Sequence, residues 1–337
     1  MAPGPCIDLR TTLMNDANPT TRLRPRDLFT PEQIAHLTAR SDLRGAWMVL
    51  STWATIAACF AVLAIWPSVW TFLAAVFVLG GRQLALAILA HEAAHRLLFR
   101  TPQLNEWIGD WLCARPIWND VPRYRQHHLR HHTQTGTEAD PDLSLVAPFP
   151  TTRRSLVKKA LRDLSGQTAV RRIGAQVLMD IGVFDYTVAA TVTRRPRGER
   201  RWTDYALEGL RNMTPMLAVN AALFGVLHAL GIGWTFWAWV AAYMTTFSLF
   251  IRIRSIAEHA CMERSADMLR NTRTTRAGWL ARLTVAPMNV NYHQEHHLMA
   301  SVPCYRLPQM HRLLRANGVV DAPGSYLDVM RAAGARG

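Results

Sequence analysis

The chain of 337 residues is 50% hydrophobic and only 18% charged, with 38 Lys and Arg against 24 Asp and Glu and a net charge of +14. That apolar content excludes a disordered chain, and five scattered cysteines without a CxxC pair exclude both a disulfide-stapled secreted domain and a zinc-thiolate site. Length alone suggests about two soluble domains, but the placing of the apolar residues points to a bilayer.

Residues 1–45 are polar and lack an early apolar run, so they read as a cytoplasmic N-terminal segment without a signal peptide. From Ala46 to Trp66 there is no charged residue; after Pro67-Ser68 the chain is apolar again from Val69 to Ala90, interrupted only by Arg82. A second apolar pair runs from Met213 to Trp234, with a break at Gly231-Ile232-Gly233, and from Thr235 to Ile251. Each stretch approaches the roughly 20 residues that cross a bilayer core. The predicted fold is therefore an all-α integral membrane protein: four transmembrane helices (46–66, 69–90, 213–234, 235–251) in two hairpins, a helical cytoplasmic cap from 91–212 and 252–315, and a C-terminal tail from 316 to 337. Arg82 is expected to face protein or to snorkel, with Gly80-Gly81 beside it admitting close helix packing.

Within the cap, Leu104–Trp118 carries Trp107, Trp111 and Trp118 and is too short and polar to span, which suits an interfacial helix. Leu156–Leu164 is basic and amphipathic, and the apolar residues at 170, 173, 177, 178, 181 and 184 form a helical stripe. Both segments suit either headgroups or the body of the cap. Arg194 to Arg201 reads as a solvated basic loop.

The basic residues give the topology. Six lie in 1–45, one inside the first hairpin, nineteen in 91–212, none from Met213 to Ile251 and twelve from Arg252 onward. Two hairpins put all three polar regions on one side, which the positive-inside rule makes cytoplasmic. Both termini are thus expected in the cytoplasm. The charge then reflects topology and anionic lipid, and no nucleic-acid partner is expected.

Ten of the thirteen histidines fall in four places on that side. His91 and His95 are i,i+4 and share a helix face; His128, His131 and His132 stand at i, i+3, i+4, as do His293, His296 and His297; His259 follows the fourth span. Neutral imidazole is a metal ligand, and eight or nine imidazoles exceed the four that one tetrahedral ion accepts, so two ions are expected. His91-Glu92-Ala93-Ala94-His95 also matches the HExxH zinc-protease pattern, but one zinc would leave both HxxHH triplets unexplained.

His91 to His95, Tyr124 to His132 and Tyr292 to His297 resemble the three histidine boxes of the membrane-bound fatty acid desaturase superfamily. Thr135 to Asp142 resembles the stretch after the second box, and Ser301 to Pro308 the one after the third. The likeness covers roughly residues 45 to 315. It implies a non-haem centre of two iron ions that activates dioxygen against an unactivated C–H bond of a lipid chain. Carried over residue by residue, it makes His91, His95, His128, His131, His132, His293, His296 and His297 ligands, and His259 the additional ligand that some members have. His127 is ambiguous with His128; the register of the third box favours His128. Glu92, Asp140, Asp142, Glu258 and Glu295 are candidate partners for ligand imidazoles, and Asn289 and Asn291 candidates to hold water near a metal. His36, His228 and His311 stand apart from the boxes.

The expected reaction is an oxygen-dependent desaturation of an acyl-lipid, acyl-CoA or acyl-carrier substrate. The alternatives are a lipid or carotenoid hydroxylase or ketolase with the same chemistry and, remotely, an HExxH membrane protease. No haem, iron-sulfur or flavin pattern is visible, so electrons are expected from a separate ferredoxin- or cytochrome-type donor suited to the basic face.

Overall fold

The computed structural model describes residues 24–336. The first 23 residues of the expected N-terminal segment lie outside it. Among the described residues the protein is helical, with isolated β-bridges and no strand.

A short helix α1 (Pro31–Thr38) starts on a capping box, with Thr30 accepting from the Gln33 N–H and the Gln33 side chain accepting from the Thr30 N–H. Ser41 then caps α2 (Asp42–Ile65), and after the turn at Trp66-Pro67 Ser68 caps α3 (Val69–Ala94). Helices α2 and α3 pack against each other. Helix α3 is the axis of the fold: from Leu79 to Ala94 every residue but Ala87 is buried, as expected of a helix apolar on all sides. It runs past the predicted end at Ala90 and carries His91 into the cap.

Helix α4 (Pro102–Ile108) continues through a π-turn (Gly109–Ala114) and a 3-10 turn (Arg115–Ile117), placing Trp107 and Trp111 exposed and stacked with centroids 6.5 Å apart. Trp118 instead turns inward and donates to Asp180 (2.9 Å). Next come α5 (Val121–Gln134), α6 (Arg153–Leu164), α7 (Gln167–Asp180) and the long α8 (Trp202–Ala229). A turn through Gly231 leads to α9 (Phe236–Met244), α10 (Thr246–His259), α11 (His293–Leu298), α12 (Leu307–Ala316) and α13 (Tyr326–Ala333). The tail beyond 316 folds back: Val329 and Ala333 pack on Ile256, Ala257 and Ala260 of α10.

Among the described residues, three helical stretches are long and apolar enough to cross a membrane: Asp42–Ile65, Val69–Ala94 and Gly233–His259. The expected span 213–234 is not among them. Its residues 213–229 are the second part of α8, where Pro215, Asn220 and His228 interrupt the apolar run, and the rest lies in the turn that follows. Asn220 is used internally, accepting from the Trp239 indole (3.1 Å) and donating to the Pro116 carbonyl (3.3 Å). The last span is broken at Thr245 (φ −124°, ψ −86°), between α9 and α10, a bend that hydropathy alone does not reveal.

Arg82 faces protein, donating to the carbonyls of Leu283 (2.8 Å) and Arg282 (3.3 Å). Its neighbour Gly81 lies so close that an added Cβ would stand 2.1 Å from the Leu283 oxygen. Gly81→Ala should therefore lower the thermal midpoint despite alanine's better helix propensity, at a cost of about 1–3 kcal/mol. Gly225→Ala, in α8 with open space around it, should be neutral or stabilising by differential scanning fluorimetry.

Candidate metal centre

Four helix ends meet at the site. His91 occupies the last turn of α3 and His95 its C-cap. Arg125 of α5 closes that end by donating to the Ala94 carbonyl (2.8 Å), to the Ala93 carbonyl (3.0 Å), which also accepts from the Arg96 N–H (3.0 Å), and to Glu106 (2.8 Å). Helix α5 begins on Asp120, which accepts from the Arg123 N–H (2.8 Å), and turns His127, His128 and His131 inward while Leu129 and Arg130 face out. His259 ends α10, and α11 opens with His293. Just after the second box, Gly136 adopts φ +78°, and a Cβ there would stand 2.2 Å from the Ser265 carbonyl oxygen, so the Thr135-Gly136-Thr137 turn admits only glycine.

The eight box histidines and His259 converge into two groups. His91, His95, His128, His132 and His296 form one; His131, His259, His293 and His297 form the other, with the candidate ligand atoms of each group within 4.8 Å of one another. The partition follows helical geometry. In each HxxHH triplet the i,i+4 pair stays together, His128 with His132 and His293 with His297, while the middle residue crosses to the opposite group. Each triplet thus serves both groups, and the two groups touch, His132 stacking on His297 with centroids 4.2 Å apart.

The donor atoms fit cations better than each other. His132 Nε2 lies 3.0 Å from both His128 Nε2 and His296 Nε2, and His293 Nε2 lies 2.8 Å from His259 Nε2. A neutral imidazole nitrogen either carries a proton or accepts one, so the two contacts of His132 with its like neighbours are not satisfied as an ordinary chain of hydrogen bonds. His91 Nδ1 and Nε2, His95 Nε2, His293 Nδ1, His296 Nδ1 and His297 Nε2 are buried with no hydrogen-bond partner. Burial pushes His128, His132, His293, His296 and His297 well below the usual imidazole range, and His95 down to about 4. Converging, neutral, unpaired nitrogens are the state in which imidazole binds metal.

The candidate acidic partners divide. Asp140 holds His131 Nδ1 at 2.8 Å; burial lowers the pKa of this ring, but the hydrogen bond and the surrounding carboxylates raise it on balance. Glu258, paired with Arg254, stands 3.4 Å from His293 Nδ1. Asp142 bonds His127 (2.8 Å), which lies in neither group, and this keeps its carboxyl below the usual range against the effect of burial. Glu92 accepts the Cys304 backbone N–H (2.8 Å), which ties the HExxH glutamate to the segment after the third box, and its other oxygen stands 3.4 Å from His91 Nδ1. Glu295 receives Thr274 and His311 Nδ1 (2.7 Å), so His311, set apart in the sequence, buttresses the third box from behind. Asn289 and Asn291 donate to the Cys304 and Thr275 carbonyls and hold no place at the imidazoles. His36 bonds Gln309 and Arg306, and His228 lies beside Phe224 on α8, both away from the site.

The family model described as "Fatty acid desaturase" matches residues 66–326, a stretch that includes both histidine groups whole. The chain belongs to the fatty acid desaturase family. It is also 26% identical over 281 residues to the dihydrorhizobitoxine desaturase of Bradyrhizobium elkanii, an alignment covering 81% of this chain and 75% of that one. Family membership and the three apolar helices make it a membrane protein.

In this desaturase-family chain the sequence signals for Arg125 and His311 are faint, because neither residue shows a periodicity or a motif of its own. Asp140 is the carboxylate with the shortest contact to a grouped imidazole. Asp140→Asn, which keeps size and removes charge, should weaken metal binding about 10- to 100-fold, read by chelator competition. An unchanged affinity would leave Asp140 a structural role only.

Proposed function

We propose that this chain is an oxygen-dependent di-iron desaturase that places a double bond in an acyl chain, with electrons from a separate donor protein. The observation that carries this reading is the pair of imidazole groups, five and four strong, sharing both triplets at the end of buried helix α3. Two iron ions held there by His91, His95, His128, His132 and His296 and by His131, His259, His293 and His297 would supply the reduction of dioxygen and the abstraction of hydrogen. The balance is –CH2–CH2– plus O2, two electrons and two protons, giving –CH=CH– and two waters. The protein's own part is to keep the imidazoles neutral, to orient His131 through Asp140, and to keep bulk water from the reacting centre by burial.

The proposed topology has four spans, with α8 as the third. Asn212 and Asn220 of α8 face protein partners, and both chain ends and the boxes would lie on the basic, cytoplasmic side. That charge suits an acidic ferredoxin or cytochrome. The named substrate of the bacterial relative, dihydrorhizobitoxine, sets a second substrate class beside acyl-lipid, acyl-CoA and acyl-carrier chains.

Expression of the chain and of His296→Ala in a host with simple lipids, together with a donor system, tests the reading by mass spectrometry of lipid extracts. New double bonds with the intact chain alone are expected. Added oxygen instead would show a hydroxylase, and an unchanged profile with a competent donor would remove the acyl-lipid assignment.

A further inference from the structure

Helices α6 and α7 form a hairpin that the histidine groups do not use. One face is fastened to the last span. Asp163, fully buried, accepts from Arg252 of α10 (2.7 Å) and from Thr168 (2.6 Å). Arg172 of α7 reaches the break at Thr245: its guanidinium lies 4.6 Å from the Tyr243 ring centroid and 5.0 Å from that of Phe247, donating to the Tyr243 carbonyl (3.1 Å) and the Ser248 hydroxyl (3.2 Å). At the hairpin turn, a Cβ on Gly166 would stand 3.7 Å from the Met244 carbonyl oxygen. Met244 to Ser248 lie within Gly233–His259, a stretch long and apolar enough to cross a membrane, so the hairpin packs against the side of that stretch.

The other face is exposed and has two properties. Val157, Leu161, Leu164 and Val170 are 58%, 60%, 44% and 61% exposed, the first three spaced i, i+4, i+7 on a single face of α6. Arg153, Arg154, Lys158 and Arg171 are exposed around them. The only acidic residues in α6 and α7, Asp163 and Asp180, are fully buried, so the outward face is apolar and purely cationic. Trp202, Leu207 and Leu210 are also exposed at the start of α8, which packs on α7. In water such a surface leaves apolar area unburied at about 25 cal/mol per Å2. At a bilayer boundary the same pattern is favourable twice over, through acyl contact and through phosphate attraction.

We propose that the α6–α7 hairpin is an in-plane anchor seated in the leaflet on the histidine side, with Val157, Leu161, Leu164 and Val170 in the acyl boundary and Arg153, Arg154, Lys158 and Arg171 on the phosphates of anionic lipids. Because α10 ends in His259, this seat fixes the height of one imidazole of the second group relative to the bilayer. The inference stands apart from the reaction assigned above, and its test does not use turnover.

The full chain, with Cys6→Ser, Cys59→Ser and Cys261→Ser, is labelled with an environment-sensitive fluorophore at Leu161→Cys or, for comparison, at Leu327→Cys. Leu327 is 58% exposed on α13, at the far end of α10. In nanodiscs of phosphatidylcholine with phosphatidylglycerol, the label at 161 should emit to the blue and be quenched by acyl-brominated lipid at least about twofold more than the label at 327. Phosphatidylglycerol should increase that quenching over phosphatidylcholine alone, Arg154→Glu with Lys158→Glu should abolish the increase, and inorganic phosphate should not replace the lipid. Equal, iodide-accessible emission at both positions in every disc would overturn the anchor and leave the face to water or to an acidic protein. An effect of inorganic phosphate equal to that of the lipid would overturn the leaflet as the ligand.

Discussion

Replacing His132 by alanine should strip metal from the first imidazole group and remove turnover, while replacing His127 five residues away should do neither. Both side chains lie on α5, His127 buried and His132 half-buried, so metal loss confined to His132→Ala marks ligation rather than burial. His132 Nε2 faces two other imidazole nitrogens at 3.0 Å and its ring stacks across to His297. His127 turns the other way, to Asp142 at 2.8 Å and to the edge of Tyr186. Loss of a partner one bond removed from a metal costs about 10- to 100-fold, so loss of the ligand itself should exceed that, with activity down at least about 100-fold. The metal-to-protein ratio after desalting, by mass spectrometry of the elements, reads the result. His127→Ala should retain the full ratio and lose only the stability that the Asp142 bond supplies, about 1 kcal/mol or somewhat more. Equal metal loss in the two variants would mean that the α5 register, and with it the division into two groups, is wrong.

That division shows where the sequence stops being legible. The i, i+3, i+4 spacing states that three imidazoles leave one helical turn, and the same spacing twice states that two segments do the same job. It does not state that His131 leaves His128 and His132 for the company of His259, His293 and His297. That depends on how α5 and α11 cross, which is tertiary information. The membrane part was legible to a similar depth. The first two apolar helices follow from runs that only Arg82 interrupts, whereas the bend at Thr245 comes from packing: Gly80 admits Thr246 so closely that a Cβ would stand 2.2 Å from its hydroxyl, which donates to the Val76 carbonyl (2.8 Å). The carboxylates were the least legible. Five acidic residues lie near boxes in the sequence, and the structure spends Asp140 on a grouped imidazole, Asp142 on His127, Glu92 on a backbone N–H and Glu295 on His311. Sequence proximity ranks them alike because all sit within a turn or two of a histidine; side-chain direction decides among them.

The metal-free protein should lose stability steeply as pH falls from 7 to 5, more than an ordinary helical protein of this size. His95, His128, His132, His293, His296 and His297 are held in the neutral form by burial, so their folded pKa values lie below the roughly 6.5 of the unfolded chain. Below pH 6.5 the unfolded state then binds more protons than the folded one, and stability falls with pH until the folded pKa is reached. For His95, at about 4, this amounts to about 2 kcal/mol at pH 5. His131 acts in the opposite sense: its raised pKa gives a contribution fully present below the unfolded value and lost as pH climbs through the folded one. Six rings against one leave acid as the destabilising direction. A net loss of at least about 4 kcal/mol, or roughly 8 °C in the thermal midpoint, is expected for chelator-treated protein in detergent. Metal-loaded protein should start higher and release its ions through the same window, because protons and cations compete for the same nitrogen lone pairs. A midpoint that stays level or rises between pH 7 and pH 5 would show that the imidazoles are hydrated in the metal-free state, and that their burial depends on the ions they bind.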